Sequence, residues 1–96
     1  MITALMLMKA ELKEIANLTK ALAEFDEITE LYTTTGEYDV VAKVMVEDLD
    51  ALAGTVTEKM AGLEGIVKTS TLLAIRCHSE QAMDRMFGVG FEEEGA

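Results

Sequence analysis

One stretch, from Thr33 to Asp48, constrains the fold more than any other part of the chain. It begins in a β-branched run, Leu31 to Thr35, whose side chains favour extended backbone. Gly36 and Glu37 follow, and glycine accepts the positive φ that a tight turn requires. From Tyr38 to Val46 a second run places valine or alanine at alternate positions. The stretch therefore predicts a β-hairpin that turns at Gly36 and Glu37.

The predicted turn also concentrates polar groups. It combines the Thr35 hydroxyl, the Gly36 N–H, the carboxylates of Glu37 and Asp39, and the Tyr38 phenol. Backbone geometry at Gly36 and a local hydrogen bond from Asp39 explain these residue types without any ligand. If the domain binds a small polar molecule, this turn is the first candidate for the site.

The remaining elements complete a recognisable order. We predict strands over Ile2 to Met8, Ile28 to Thr35, Tyr38 to Val46 and Ile66 to Arg76, and helices over Glu11 to Phe25 and Leu49 to Ala61. Asp48 is the expected N-cap of the second helix, and Gly62 its expected left-handed stop. The order β-α-β-β-α-β predicts an α+β, ferredoxin-like fold, with a four-stranded antiparallel sheet and two helices on one face.

The chain is expected to divide at residue 78. Residues 1–78 form the predicted ferredoxin-like domain, and residues 79–96 a C-terminal extension. Within the extension, Glu80 to Phe87 predicts a short helix, and Phe91 to Ala96 an acidic tail that frays.

The second face of the predicted sheet has nothing to cover it. Several strands would place apolar side chains there, more than a monomer normally shows to water. A chain of 96 residues also builds a modest core. We therefore predict that two copies pair through this face.

Charge and composition exclude several classes of function. Eighteen acidic residues against eight basic ones give a net charge of −10, and no basic patch is present to displace counterions from a nucleic acid. No apolar run reaches the roughly 20 residues that span a bilayer. Met1 to Met8 lacks the features of a signal peptide, so a soluble cytoplasmic protein is expected. The lone Cys77 excludes an internal disulfide and fits a reducing compartment.

Catalytic and metal-binding residues are not evident. Cys77 and His78 are adjacent in an extended segment, so their side chains point in opposite directions and cannot form a nucleophile–base pair. One cysteine and one histidine do not make a ligand set either. We predict no cofactor, no metal site and no catalytic residue.

Two motifs resemble the effector domain of the leucine-responsive regulatory protein/AsnC (Lrp/AsnC) family. Thr33 to Val44, followed by Val46 to Leu52, resembles the family's V-T-G-x-Y-D hairpin and its D-L-x-x helix start. Leu63 to Leu73 is similar to its L-P-G-V-x-x-T-x-T pattern, with Glu64 in place of the proline. The resemblance covers Ile2 to about Ile75.

The resemblance implies a function and a site. Family members bind amino acids between neighbouring dimers, which assemble into rings, commonly octamers. Full-length members carry a helix-turn-helix before this domain, whereas this chain begins with the first strand. We therefore expect a stand-alone, amino-acid-binding regulatory domain that does not bind DNA and has full-length family regulators as further candidate partners. The implied ligand-binding residues lie in the turn and on the fourth strand: Thr35, Gly36, Glu37, Tyr38, Asp39, Thr69 and Thr71.

Two other functions remain open at this stage. Small cofactor-independent enzymes share the dimeric α/β barrel, but they need a polar cavity, usually with His, Asn or Trp. This chain has no Trp and one His. The second alternative is a structural oligomer without a ligand, which no feature of the sequence excludes.

Overall fold

A computed structural model describes residues 1–78. The four strands are β1 (Ile2–Ala10), β2 (Ile28–Thr33), β3 (Val40–Val46) and β4 (Ile66–Ala74). The helices are α1 (Ile15–Leu22), which follows a 3₁₀ turn at Leu12–Glu14, and α2 (Leu49–Gly54), which continues as a π-helical turn at Thr55–Lys59 and a 3₁₀ turn at Met60–Gly62. The predicted helix at Glu80 to Phe87 and the acidic tail lie outside the described residues. No helix in residues 1–78 is long and apolar enough to cross a membrane.

The sheet has the strand order β2-β3-β1-β4, and every neighbouring pair is antiparallel. The predicted ferredoxin-like order is therefore confirmed. β1 lies at the centre, where Met6 stands between Ala42 of β3 and Thr71 of β4. Leu5, the residue before it, stands between Lys43 and Leu72 on the opposite face.

The core lies between one face of this sheet and the helices. Alternate residues of the two central strands are fully buried there: Ala4, Met6, Met8, Val40, Ala42 and Val44. The helical side contributes Leu18 and Leu22 from α1, Leu52 from α2 and Met60 from the closing 3₁₀ turn. The buried positions alternate along the strands and recur every three to four residues along the helices. We call this side of the sheet the core face.

The opposite surface, the open face, is not covered by any element of residues 1–78. Its apolar side chains come from all four strands: Leu5, Leu7, Tyr32, Val41, Met45 and Leu72. Leu5 is 37% exposed, Leu72 50% and Tyr32 53%. The bare apolar face expected from the sequence is therefore present.

The helices depart from the predicted apolar stripes. Helical spacing predicts Leu12 on the apolar stripe of the segment Glu11 to Phe25, but Leu12 is 87% exposed, because the 3₁₀ turn that contains it is wound more tightly than an α-helix. The π-helical turn after α2 likewise changes which residues face the sheet, and it buries Thr55. The Thr55 hydroxyl donates a hydrogen bond to the Ala51 carbonyl. Asp48 is the N-cap of α2 as predicted, and accepts a hydrogen bond of 2.8 Å from the Ala51 N–H.

The left-handed glycine after the second helix was predicted at the wrong position. The backbone leaves the helix in an extended conformation at Leu63, and Gly65 has the positive φ, +94°. A Cβ added at Gly65 would lie 2.5 Å from Cβ of Glu14. The glycine is therefore required both by its backbone conformation and by the close approach of the first helical segment.

A β-bulge corrects one face assignment on β4. Lys9 pairs with Lys68, but Ala10 pairs with Ile66, so Val67 is skipped. Regular alternation along the strand predicts Ile66 on the same side as Lys68. The bulge instead turns Ile66 toward the core, where it packs against the buried cluster. Val67 is 61% exposed.

Candidate functional site

The connection between β2 and β3 is wider than the predicted two-residue turn. It runs over residues 34–39, since β2 ends at Thr33 and β3 begins at Val40. The Thr34 N–H donates to the Asp39 carbonyl at 2.8 Å, and the Thr34 hydroxyl donates to the Tyr38 carbonyl at 2.8 Å. Gly36 has a φ of +103° at the tip of this loop. Thr34 therefore closes the loop, and Thr35, Gly36 and Glu37 are left exposed outside it.

Asp39 ties the loop to the central strand. Its N–H donates to the Met8 carbonyl at 2.9 Å, and its Oδ2 accepts a hydrogen bond of 2.9 Å from the Ala10 N–H. The alternative to ligand binding considered from the sequence was a local turn bond. The bond observed instead spans 29 residues and satisfies the backbone at the end of β1, beside the bulge.

Glu37 and Tyr38 meet a residue that the sequence reasoning missed, Lys68 of β4. The Lys68 Nζ lies 3.5 Å from Oε2 of Glu37 and 5.6 Å from the centroid of the Tyr38 ring. The Tyr38 phenol makes the largest contribution to raising the pKa of Lys68, and the Glu37 carboxylate makes the second largest. The sequence signal was present, since Lys68 lies within the second family motif, but that motif's threonines were chosen instead.

A second lysine lies beside Lys68. The register pairs Lys9 of β1 directly with Lys68 across the two strands. Directly opposed residues have Cβ atoms about 4.5–5.5 Å apart, and like charges at that position destabilise a sheet. Two lysine side chains therefore start from directly opposed positions on the open face at the hairpin end.

Thr69 and Thr71 are not part of this group. Thr69 pairs with Met8 and Thr71 with Met6, so both belong to the core face, whereas Lys68 starts on the open face. Thr69 lines a cleft of about 240 Å³ with the turns that follow α2. The other residues around this cleft are mainly apolar: Met6, Val56, Met60, Ala61, Leu63 and Ile66.

The structure thus separates the seven predicted site residues into three groups. Thr35, Gly36, Glu37 and Tyr38 lie at the exposed loop, beside Lys68. Asp39 is engaged by β1, and the two threonines lie on the other face. We call Gly36, Glu37, Tyr38, Lys9 and Lys68 the hairpin-end cluster.

The hairpin-end cluster offers an anion, cations and an aromatic ring at the surface. The side chains of Glu37 and Lys68 are 71% and 55% exposed, so neither is enclosed by this chain alone. Such a group can bind a small zwitterion by its two charges. Its open geometry does not surround a ligand, so a second chain would have to complete an enclosed pocket.

Metal binding finds no support in residues 1–78. No group of three or more His, Cys, Asp or Glu side chains is arranged there to hold an ion. Cys77 is a free, exposed thiol on that part of the chain.

The fold places the chain in the class of ferredoxin-like domains, and sequence comparison narrows that class. The sequence model of the Lrp/AsnC ligand binding domain matches residues 3–83. The chain therefore belongs to the Lrp/AsnC family.

Curated relatives are transcriptional regulators. The HTH-type transcriptional regulator FL11 of Pyrococcus furiosus is 29% identical over 79 residues, which are 82% of this chain and 52% of FL11. Regulatory protein AsnC of Escherichia coli K12 is 37% identical over 64 residues, 67% of this chain and 42% of AsnC. The chain thus spans about half the length of the curated relatives it matches.

Solved structures show the same fold. TTHA0845 from Thermus thermophilus is 39% identical, with a TM-score of 0.78 over 83% of this chain and 100% of that one. The transcriptional regulator NMB0573 of Neisseria meningitidis, solved as a complex with L-Met, has a TM-score of 0.73 over 82% of this chain and 54% of that chain, at 13% identity. The latter similarity concerns the fold alone.

Proposed function

We propose that this chain is an amino-acid-binding regulatory domain whose ligand site is the hairpin-end cluster. The observation that carries the proposal is the exposed group of Gly36, Glu37 and Tyr38 at the wide hairpin loop of a family ligand-binding domain. A free amino acid is a zwitterion, and its ammonium requires an anionic acceptor. Glu37 is the acceptor, because its carboxylate is exposed at the loop, whereas Asp39 is half-buried and already accepts the Ala10 N–H.

The proposed site is completed by assembly. Glu37 is 71% exposed, so the single chain leaves its ligand largely in solvent. The apolar open face supports pairing of two copies, and further association of dimers, with an octamer as the family's common form, would bring a second chain to the loop. A pocket shared between chains makes ligand affinity and assembly depend on each other.

Regulation by this domain is proposed to be indirect. A net charge of −10 opposes approach to the nucleic-acid backbone, so the domain acts by binding an effector and a partner rather than DNA. The partner is a second copy or a full-length regulator of the same family. The relatives named above are regulators, which supports a non-enzymatic role.

A thermal-shift panel of the twenty free amino acids at millimolar concentration tests the proposal. A ligand at 100 times its Kd stabilises a protein by about 2.7 kcal/mol, which for a domain of this size is a shift on the order of 10 °C. We expect one or a few amino acids to give such a shift. The Glu37→Gln variant should lose it, while Glu58→Gln, which changes an exposed carboxylate on the helical side, should keep it.

The panel also separates the alternatives. If no amino acid shifts the melting temperature, the amino-acid function is wrong, and a structural oligomer becomes the better account of the open face. If the parent responds and Glu37→Gln responds equally, the function stands and the assignment of Glu37 is wrong.

A further inference from the structure

We infer that Lys68 binds the carboxylate of the effector amino acid, with Lys9 beside it. The inference rests on the proposed function and deepens it, because it assigns the second charged end of the ligand. It also takes the place of the threonines of β4, which the family resemblance implies as ligand-binding residues without assigning them an end of the ligand.

Several hydrogen-bond donors near the loop are already used within the fold. The Thr34 N–H and hydroxyl and the Asp39 N–H all donate within the fold, which removes them from ligand binding. Thr69 and Thr71 lie on the core face, on the other side of the sheet from the starting point of the Lys68 side chain. The donors that an anion meets at the loop are therefore the Thr35 and Tyr38 hydroxyls, the exposed backbone near Gly36 and the ammonium groups of β1 and β4. Of these, only the ammonium groups carry a positive charge.

Lys68 is only loosely paired with Glu37. Its Nζ lies 3.5 Å from the Glu37 carboxylate, whereas a close charged N–H···O contact measures about 2.7–2.9 Å. An ammonium has three N–H donors, and this distance leaves them available. A zwitterion can enter such a pair with its carboxylate toward Lys68 and its ammonium toward Glu37.

Lys9 and Lys68 lie directly opposite each other across the strands. Two like charges at this position repel each other, and Glu37 is the one acidic side chain within ion-pair distance of Lys68 in residues 1–78. A bound carboxylate would reduce that repulsion. The Tyr38 ring, 5.6 Å from Nζ, offers an apolar surface beside the same point.

The test compares each amino acid that binds with its α-carboxamide, for example L-methionine with L-methioninamide, which lacks the negative charge. We expect the parent to bind the amino acid about tenfold or more tightly than the amide, as for one charged hydrogen bond. The Lys68→Met variant should lose about tenfold or more in affinity for the amino acid. It should also lose the preference over the amide, whereas Lys68→Arg should keep most of both.

Lys59→Met is the matched control. Lys59 also pairs with a glutamate, Glu27, and lies 5.9 Å from the centroid of an aromatic ring, Phe25, but on the helical side of the molecule. Its variant should retain the parent's affinity and preference. Circular dichroism and the ligand-free melting temperature of each variant show whether it is folded.

The outcomes separate the two hypotheses. If the parent binds amino acids and Lys68→Met keeps both the affinity and the preference over the amide, the assignment of Lys68 is wrong while the proposed function stands. If the parent binds none of the twenty amino acids, the proposed function fails and this inference fails with it.

Discussion

The two faces of the sheet are built from the same strands but serve different ends. Along β1, Met6 is 1% exposed and Leu5, its neighbour, is 37% exposed. The core face meets helices from its own chain, whereas the open face presents comparable apolar side chains to solvent. The packing that stabilises the single chain therefore lies on the core face, and the open face is the surface through which we propose that two copies pair.

The largest expected effect comes from truncating the core face. Met6→Ala should lower the free energy of unfolding by about 2–5 kcal/mol, because a fully buried side chain leaves a cavity. Leu5→Ala should cost less than about 1 kcal/mol in the monomer. Urea unfolding at low protein concentration measures both. Equal losses would show that the open face is also packed within the single chain.

Two glycines make the same comparison in the backbone. Both have positive φ. A Cβ added at Gly65 would lie 2.5 Å from Cβ of Glu14, whereas a Cβ added at Gly36 would have no other atom within 4 Å. Gly65→Ala should therefore cost about 1–3 kcal/mol more than Gly36→Ala, which has the strained backbone alone. Thermal unfolding of the pair measures the difference, and similar melting temperatures would contradict the close packing.

A charge on the open face should act on association instead. Leu72→Lys should weaken pairing of two copies by about tenfold or more, because an unpaired charge would be buried at the interface. Thr57→Lys adds the same charge to the exposed helical side and should leave association unchanged. Sedimentation velocity over a range of concentrations distinguishes them. A parent that remains monomeric at every concentration would overturn pairing through this face.

The smallest expected effect concerns two ion pairs, one on each side of the sheet. The hydrogen bond from Lys59 lowers the pKa of Glu27, and the hydrogen bond from the Tyr32 hydroxyl, followed by the charge of Lys43, lowers the pKa of Glu30. A carboxyl group whose pKa is lowered on folding stabilises the protein at pH values above its unfolded pKa, which is near 4.5 for Glu27. This stability is lost as the pH falls through the pKa of the folded state.

Glu27→Gln should therefore reduce the loss of stability on acidification below about pH 5, by about 1 kcal/mol or less. Glu30→Gln should change the monomer still less, because Glu30 is exposed on the open side. Denaturant unfolding from pH 3 to pH 7 measures both. A larger effect at Glu30 would indicate that its side of the sheet is covered in solution.

The sequence predicted the element order and the alternation along β3 because both follow from short periods in the chain. The prediction from sequence failed where a bulge or a turn changes which side chains face the core. The bulge at Lys9 and Ala10 turns the Ile66 side chain to the core face, and the 3₁₀ turn exposes Leu12. The left-handed residue is Gly65 rather than Gly62, and Glu14 approaches Gly65 closely.

The same limit applies to the site. Glu37 and Tyr38 were predicted as ligand-binding residues from one loop motif. Their contact with Lys68 joins residues about thirty apart in the chain. Spacing within a motif does not reveal such a contact. Thr69 and Lys68 are adjacent in sequence, yet the pleat of β4 sends them to opposite faces, so a motif that includes both does not place both in one site.

The central position of β1 has a consequence for synthesis on the ribosome. The first strand of this domain to be made pairs with β3 and with β4, the last, so its buried methionines lack part of their cover until β4 has emerged. At roughly 5–20 residues per second, the interval between the end of β3 and the end of β4 lasts about 1–6 s. During those seconds the nascent chain exposes Met6 and Met8, and this is the period in which we expect chaperones to bind it.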